Sequence, residues 1–143
     1  MESLTSAGKD FNLRVSSTLN RDAKQFGKRN MFDDNCDTCW NSDHGSPQFV
    51  ALEFPKPVSV RELRIRFQGG FAGRDCLFQI GGGRSQEMSK EISFHPKDSN
   101  NLQCFPMETE TYHTSYKILF LSSTDLYGRI TIYQMEMIGM ISK

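Results

Sequence analysis

The chain has no long apolar run. Residues 118–121, among its longest, are of strand size, whereas a membrane-spanning helix needs roughly 20 such residues. Residues 1–10 contain no apolar stretch of the kind a secretory signal requires, so neither a leader nor a membrane anchor is expected. Charge of one sign is also missing. Seventeen acidic and seventeen basic side chains cancel, so no global field draws the chain to nucleic acid or to an anionic bilayer. The ingredients of catalysis are sparse. His44, His95 and His113 stand apart, no Gly-x-Ser-x-Gly elbow occurs, and carboxylates pair only in turns. The expectation is a binding protein, not an enzyme, with no catalytic residues. Cysteine is scarce and oddly placed. Cys36, Cys39, Cys76 and Cys104 leave the first thirty and the last thirty-nine residues without a thiol.

What is present is punctuated alternation. At 143 residues there is room for one core, and eleven Phe beside a single Trp make it an aromatic one. Residues 1–10 are polar and expected to be loosely held; residues 11–143 form one domain. Phe11, Leu13, Val15 and Ser17 share the parity of a first strand. Residues 20–31 are basic and polar, a long exposed loop with room for a helical turn. Val50, Leu52 and Phe54 share one face of a strand, and a Pro-Lys-Pro turn at 55–57 precedes a second. In that second strand Val58 and Val60 have the opposite parity to Leu63, Ile65 and Phe67, which requires a bulge near Arg61. Residues 76–80 read as a strand ending in a glycine turn at 81–83. Further strands are marked by Ile92 and Phe94, by Tyr116, Ile118 and Phe120, and by residues 129–141, with a polar turn at 98–103. Several short strands at near-regular spacing argue for an all-β sandwich or jelly roll.

The most specific stretch runs from Asn30 to Phe67. An acidic turn (Asp33, Asp34, Asn35, Asp37) leads to Thr38-Cys39-Trp40, then a polar turn, Pro47-Gln48 and the two alternating strands. This order resembles the signature of the discoidin family, also called the coagulation factor 5/8 C-type domain. The resemblance implies an antiparallel β-sandwich jelly roll of the galactose-binding type, which binds through loops at one end and performs no chemistry. Residues 68–73, 101–106 and 127–133 extend the likeness to a small intracellular branch of the family. That branch implies a protein partner, a nuclear receptor, with repression as the outcome and the nucleus or cytoplasm as the location. Secreted members commonly tie the chain ends with a disulfide; without cysteines at either end, free thiols in a reducing compartment are the simpler reading. A carbohydrate-binding module, with Phe71 or Tyr112 as aromatic platform, and an architectural subunit of a larger complex are the alternatives.

Gln68-Gly-Gly-Phe-Ala-Gly-Arg-Asp75 is the expected recognition segment. Glycines allow close backbone approach, and Phe71 and Arg74 are of the types that anchor interfaces. Either these side chains project, or Phe71 folds back onto the sandwich. In a jelly roll this segment is expected beside Phe26, Lys28 and Arg29, so the candidate binding residues are Phe26, Lys28, Arg29, Phe71, Arg74 and Asp75. The acidic turn offers hard oxygens of the kind calcium takes, about six to eight at a time, or a set of Asx-turns capping backbone amides. The resemblance implies a ligating Glu on the last strand, where this chain has Gln134 with Glu136 nearby. The Asx-turn is the reading preferred, and no metal or cofactor is expected. Cys36, Cys39 and His44 give three zinc-type ligands where a structural site takes four. Trp40 is expected to pack, and Asn41, Ser42 and Asp43 to secure the turn that follows.

Overall fold

One long strand organises the molecule, and its sequence makes it bend. β4 (Gln48–Phe67) is 20 residues long, which at about 3.3 Å per residue would outrun a small domain if straight. Val50, Leu52, Phe54, Val58 and Val60 are buried on one parity, Leu63, Ile65 and Phe67 on the other. The switch falls where the sequence placed it. Register with the last strand jumps from Val60 opposite Gly139 to Glu62 opposite Ile138, leaving Arg61 as the extra residue of a bulge. The Pro-Lys-Pro segment does not end the strand. It is exposed and falls where pairing to β8 (His113–Phe120) lapses between Glu53 and Val58, so the missing proline N–H groups cost no ladder bond. One bent strand therefore stands where two were expected.

The computed structural model describes residues 1–81 and 88–143; most of the expected glycine turn at 81–83 lies outside them. Before its corner, β4 belongs to a first layer. Its neighbours there are β2 (Asn12–Val15) on one side and β8 (His113–Phe120), β5 (Cys76–Gly81) and β6 (Met88–Phe94) on the other. After the corner it joins a second layer with β7 (Leu102–Pro106) on one edge and β9 (Thr131–Ile141) on the other. β1 (Glu2–Ser3) and β3 (Trp40–Asn41) pair with β9. All pairings are antiparallel, and the inner faces meet in an aromatic core. Tyr116 packs on Phe54 and Phe78 with ring centroids 6.2 and 5.6 Å apart, and Phe67 on Phe120 at 6.0 Å. Such tilted and edge-on pairs add to the stabilisation from burial.

The polar opening is not loosely held throughout. Glu2 and Ser3 pair with β9, and Leu4 and Thr5 are buried, because strand pairing satisfies backbone groups that polarity alone does not predict. Residues 20–31 are more than an exposed loop. They hold α1 (Ala23–Phe26) and a 3-10 turn (Lys28–Phe32) whose Met31 is buried. The first strand stops at Val15, and the expected polar turn at 98–103 ends early, since β7 begins at Leu102. Among the described residues no helix is long and apolar enough to cross a membrane.

Register fixes which loops share an end. Gln48, at the start of β4, lies opposite Phe120, the last residue of β8, which lies opposite Cys76, the first residue of β5. Cys76 in turn faces Phe94 at the end of β6. In the second layer Phe67 faces Ile132, and Arg66 faces Leu102. The loops 42–47, 68–75, 95–101 and 121–130 therefore emerge together.

Candidate functional site

The loop end is built outward from Gln48 and Trp40. The buried Gln48 amide acts as a clamp. Its Oε1 accepts from Ser17 Oγ at 2.8 Å and from Ser16 Oγ, and its Nε2 donates to the carbonyls of Asp43 (3.2 Å) and Gly45 (3.0 Å). Trp40 is wholly buried, its indole N–H donating to Ser17 O at 2.9 Å, as expected of a packing residue. Asn41 Oδ1 accepts from Thr131 Oγ1, while Ser42 Oγ donates to Asp43 O and accepts from Ile130 N. In the acidic turn Asp33 Oδ1 accepts from Asn35 N, Asn35 Oδ1 from Asp37 N, and Asp33 Oδ2 from Thr38 Oγ1. These are Asx-turns. Among the described residues no three His, Cys, Asp or Glu side chains are grouped to hold a metal. Cys36 is exposed, Cys39 is buried, and Glu136 is spent on Arg64 at 3.5 Å.

On that base the segment expected to serve recognition, residues 68–75, is latched on two sides. Gly69 N donates to Asn100 Oδ1 and Gly70 N to Asp98 Oδ1, each at 2.7 Å. Ala72 and Thr124 exchange bonds through Ala72 N to Thr124 Oγ1 (3.0 Å) and Thr124 N to Ala72 O (2.9 Å). Asp75 accepts at its backbone from Leu121 N and faces His95 Nδ1 across 3.3 Å. Phe71 is half-buried, with the Arg129 guanidinium 5.1 Å from its ring centroid; the same guanidinium lies 5.6 Å from Tyr127. Asp125 fixes Arg129 through Nε (2.9 Å) and Nη2 (3.1 Å). The hydrogen bond from Arg129, helped by backbone N–H groups, holds the Asp125 carboxyl below its ordinary range. Beyond this clamp, Leu126 is 88% exposed and Tyr127 63%.

The tip is held by a backbone crossing. Gly45 N donates to Tyr127 O at 2.7 Å. Gly128 has φ +82°, and a Cβ there would sit 2.6 Å from Gly45 O, so only glycine lets the two loops approach.

The structure brings together three of the six sequence candidates: Phe71, Arg74 and Asp75, of which Arg74 and Asp75 are exposed. It separates Lys28 and Arg29 from them. Arg29 donates to Phe11 O at 3.1 Å and stacks over the Phe11 ring at 5.1 Å. Lys28 and Arg29 line a groove with Asn12, which pairs opposite Glu53. Glu53 is five residues along β4 from the loop end at Gln48, roughly 17 Å at strand rise. The expected adjacency to Phe71 is therefore corrected: the segment after α1 returns along the edge of the first layer instead of reaching over the loops. Phe26 is half-buried on α1. Tyr112 is exposed but follows Met107, whose N–H bonds Arg61 O, placing it away from the loop end. Leu126, Tyr127 and Arg129 stand at this loop end and were not among the sequence candidates. A Leu-Tyr pair in a segment too polar to be a strand was the signal that could have found them.

A family model for the anaphase-promoting complex, subunit 10 (APC10), matches residues 5–68. Among solved structures, the C-terminal domain of a chitobiase from Bacteroides fragilis superposes with a TM-score of 0.77 at 12% identity, over 99% of this chain and 100% of that one. Chitosan-binding module 1 of a chitosanase/glucanase from Paenibacillus sp. IK-5 gives 0.76 at 15% identity, over 97% and 100%. At such identities the likeness shows the fold, an antiparallel β-sandwich jelly roll of the galactose-binding type, which agrees with the expectation from sequence. Two sequence relatives are far nearer. The nuclear receptor 2C2-associated protein of Danio rerio is 48% identical over 126 residues, covering 88% of this chain and 89% of that protein. Its Homo sapiens counterpart is 45% identical over 127 residues, with the same coverage. The chain belongs to the nuclear receptor 2C2-associated protein family.

Proposed function

We propose that the chain is a non-enzymatic protein-interaction module that binds a nuclear receptor through its loop end, in the nucleus or cytoplasm, and represses it by covering a surface used for DNA contact or dimerisation. The observation that carries this reading is the exposed Leu126-Tyr127 tip, set on an Arg129 clamp between Phe71 and Asp125. A rigid scaffold presenting an aromatic, an aliphatic and a guanidinium side chain at one end has the composition of an interface centre. The name of the relatives supports the choice of partner. Arg74 and Asp75 form the polar rim of the same surface.

A sugar is the weaker fit. Stacking a pyranose needs an open aromatic face, and the Phe71 ring has Arg129 over it. The test is direct binding of the purified chain to a receptor of the nuclear receptor 2C2 type. Loss of binding in Leu126→Ser with Tyr127→Ala supports the reading, and undiminished binding by that variant and by Phe71→Ala with Arg74→Ala removes the loop end from it. Signal on a glycan array that these variants abolish would favour the sugar.

A further inference from the structure

The outer faces of the two layers differ in how their charges are met. On the second layer Arg64 lies between two carboxylates, Glu62 Oε2 at 2.9 Å and Glu136 Oε1 at 3.5 Å. The groove on the outer face of the first layer has no such balance. A groove of about 680 Å³ runs across β2, β4 and β8, floored by Ala51 and walled by Arg14, Lys28, Arg29, Lys117 and Glu53. That is four cations against one carboxylate in a chain whose total charge is zero, and none of the five makes an ion pair among the described residues. Beside the groove runs an apolar row set by register: Phe49 opposite Leu119, and Leu119 opposite Leu77. All three are half-buried and point away from the core. The Lys117 ammonium lies 4.3 Å from the Phe49 ring centroid and Arg14 5.9 Å from it, so cations and apolar row form one surface.

We infer that this face is a second docking surface, for an acidic peptide segment of a protein partner that carries apolar side chains among its carboxylates. The unmatched cations supply charge complementarity, which governs encounter rate and selectivity. The Phe49–Leu119–Leu77 row supplies apolar area that water otherwise covers. A nucleic acid would use the cations and leave the row idle; the peptide uses both. The groove at Ala51 lies three residues along β4 from the loop end at Gln48, and the apolar row one residue from it; the inference does not rest on the reading given to the loops.

The experiment titrates the full chain into a fluorescein-labelled peptide alternating Glu with Leu and Phe, followed by anisotropy, with amide shifts recorded on the labelled protein. Binding is expected, with shifts on β2, β4 and β8. Arg14→Glu with Lys117→Glu weakens it by roughly tenfold or more, as for charges at a complementary interface. Ala51→Tyr, which fills the floor without changing charge, weakens it too. Leu126→Ser with Tyr127→Ala leaves it unchanged, which distinguishes this face from the loop end. Circular dichroism melts establish that each variant is folded. The inference is overturned if the peptide does not bind, if charge reversal changes nothing, if a peptide with Gln for every Glu binds equally, or if only phosphatidylserine vesicles or an oligonucleotide bind.

Discussion

Arg129 owes its position to Asp125, and that dependence has a pH signature. The Asp125 carboxyl titrates below its ordinary value because it accepts from Arg129 and from backbone N–H groups. A depressed folded value means that the stabilisation is present above the unfolded Asp value, about 3.9, and is lost as pH falls through the lower folded value. Asp125→Asn is therefore expected to melt at a lower temperature than the parent at neutral pH, with a shallower decline in Tm below about pH 4. An acid limb identical to the parent's would show that the pair contributes nothing. Thiols give a second check at this scale. Burial, then the neighbouring Asp75 charge, pushes the Cys76 thiol up to about 12, and burial raises Cys39; both stay protonated and shielded at neutral pH. Native alkylation followed by mass spectrometry is expected to label Cys36 and Cys104 first, with Cys39 and Cys76 reacting only on unfolding. Trp40 was legible as a packing residue through the resemblance that contains it; the clamp made by Gln48 was not, because its partners Ser16 and Ser17 lie far away in sequence. Arg129 was not, since its partners Phe71 and Tyr127 meet only in the fold.

Among the elements, the bulge in β4 is where sequence and structure agree most closely. Parity is a period-2 property, so an inversion between Val60 and Leu63 announces an extra residue whatever the tertiary context. What parity did not announce is the support around it. Ser59 Oγ donates to Thr109 O at 2.7 Å, and Thr109 Oγ1 donates to Val60 O. Gly139 packs so tightly that a Cβ there would lie 2.0 Å from Ser59 O. Gly139→Ala must push β9 off the bulge, and is expected to cost roughly 1–3 kcal/mol, the range for overpacking a filled interior. Urea unfolding measures it as a lower midpoint at unchanged slope; a midpoint equal to the parent's would contradict the close approach. The continuity of β4 through Pro55 and Pro57 was illegible for a related reason. Whether a proline interrupts a strand depends on whether a neighbour needs its N–H, and that neighbour, β8, lies some sixty residues away in sequence.

At the scale of the molecule, the architecture followed from alternation and punctuation, and the loop end from the signature around Trp40. The grouping of Lys28 and Arg29 with Phe71 did not, because a loop's path over a sandwich is decided by what it covers. Here Met31 is buried in the core, and its anchorage draws the basic segment along the edge of β2. Zero net charge also hides where charges meet a partner, as at Arg64, and where they do not, as in the groove beside Ala51. The proposed function depends on this whole-molecule geometry, in which the loops of a two-layer body gather at one end. The most direct measurement is the affinity of the purified chain for a receptor of the nuclear receptor 2C2 type, compared between the parent and Leu126→Ser with Tyr127→Ala. The expected result is a fall in affinity of roughly a hundredfold, as for loss of central interface anchors, with an unchanged melting temperature. Equal affinity in a folded variant would contradict the account.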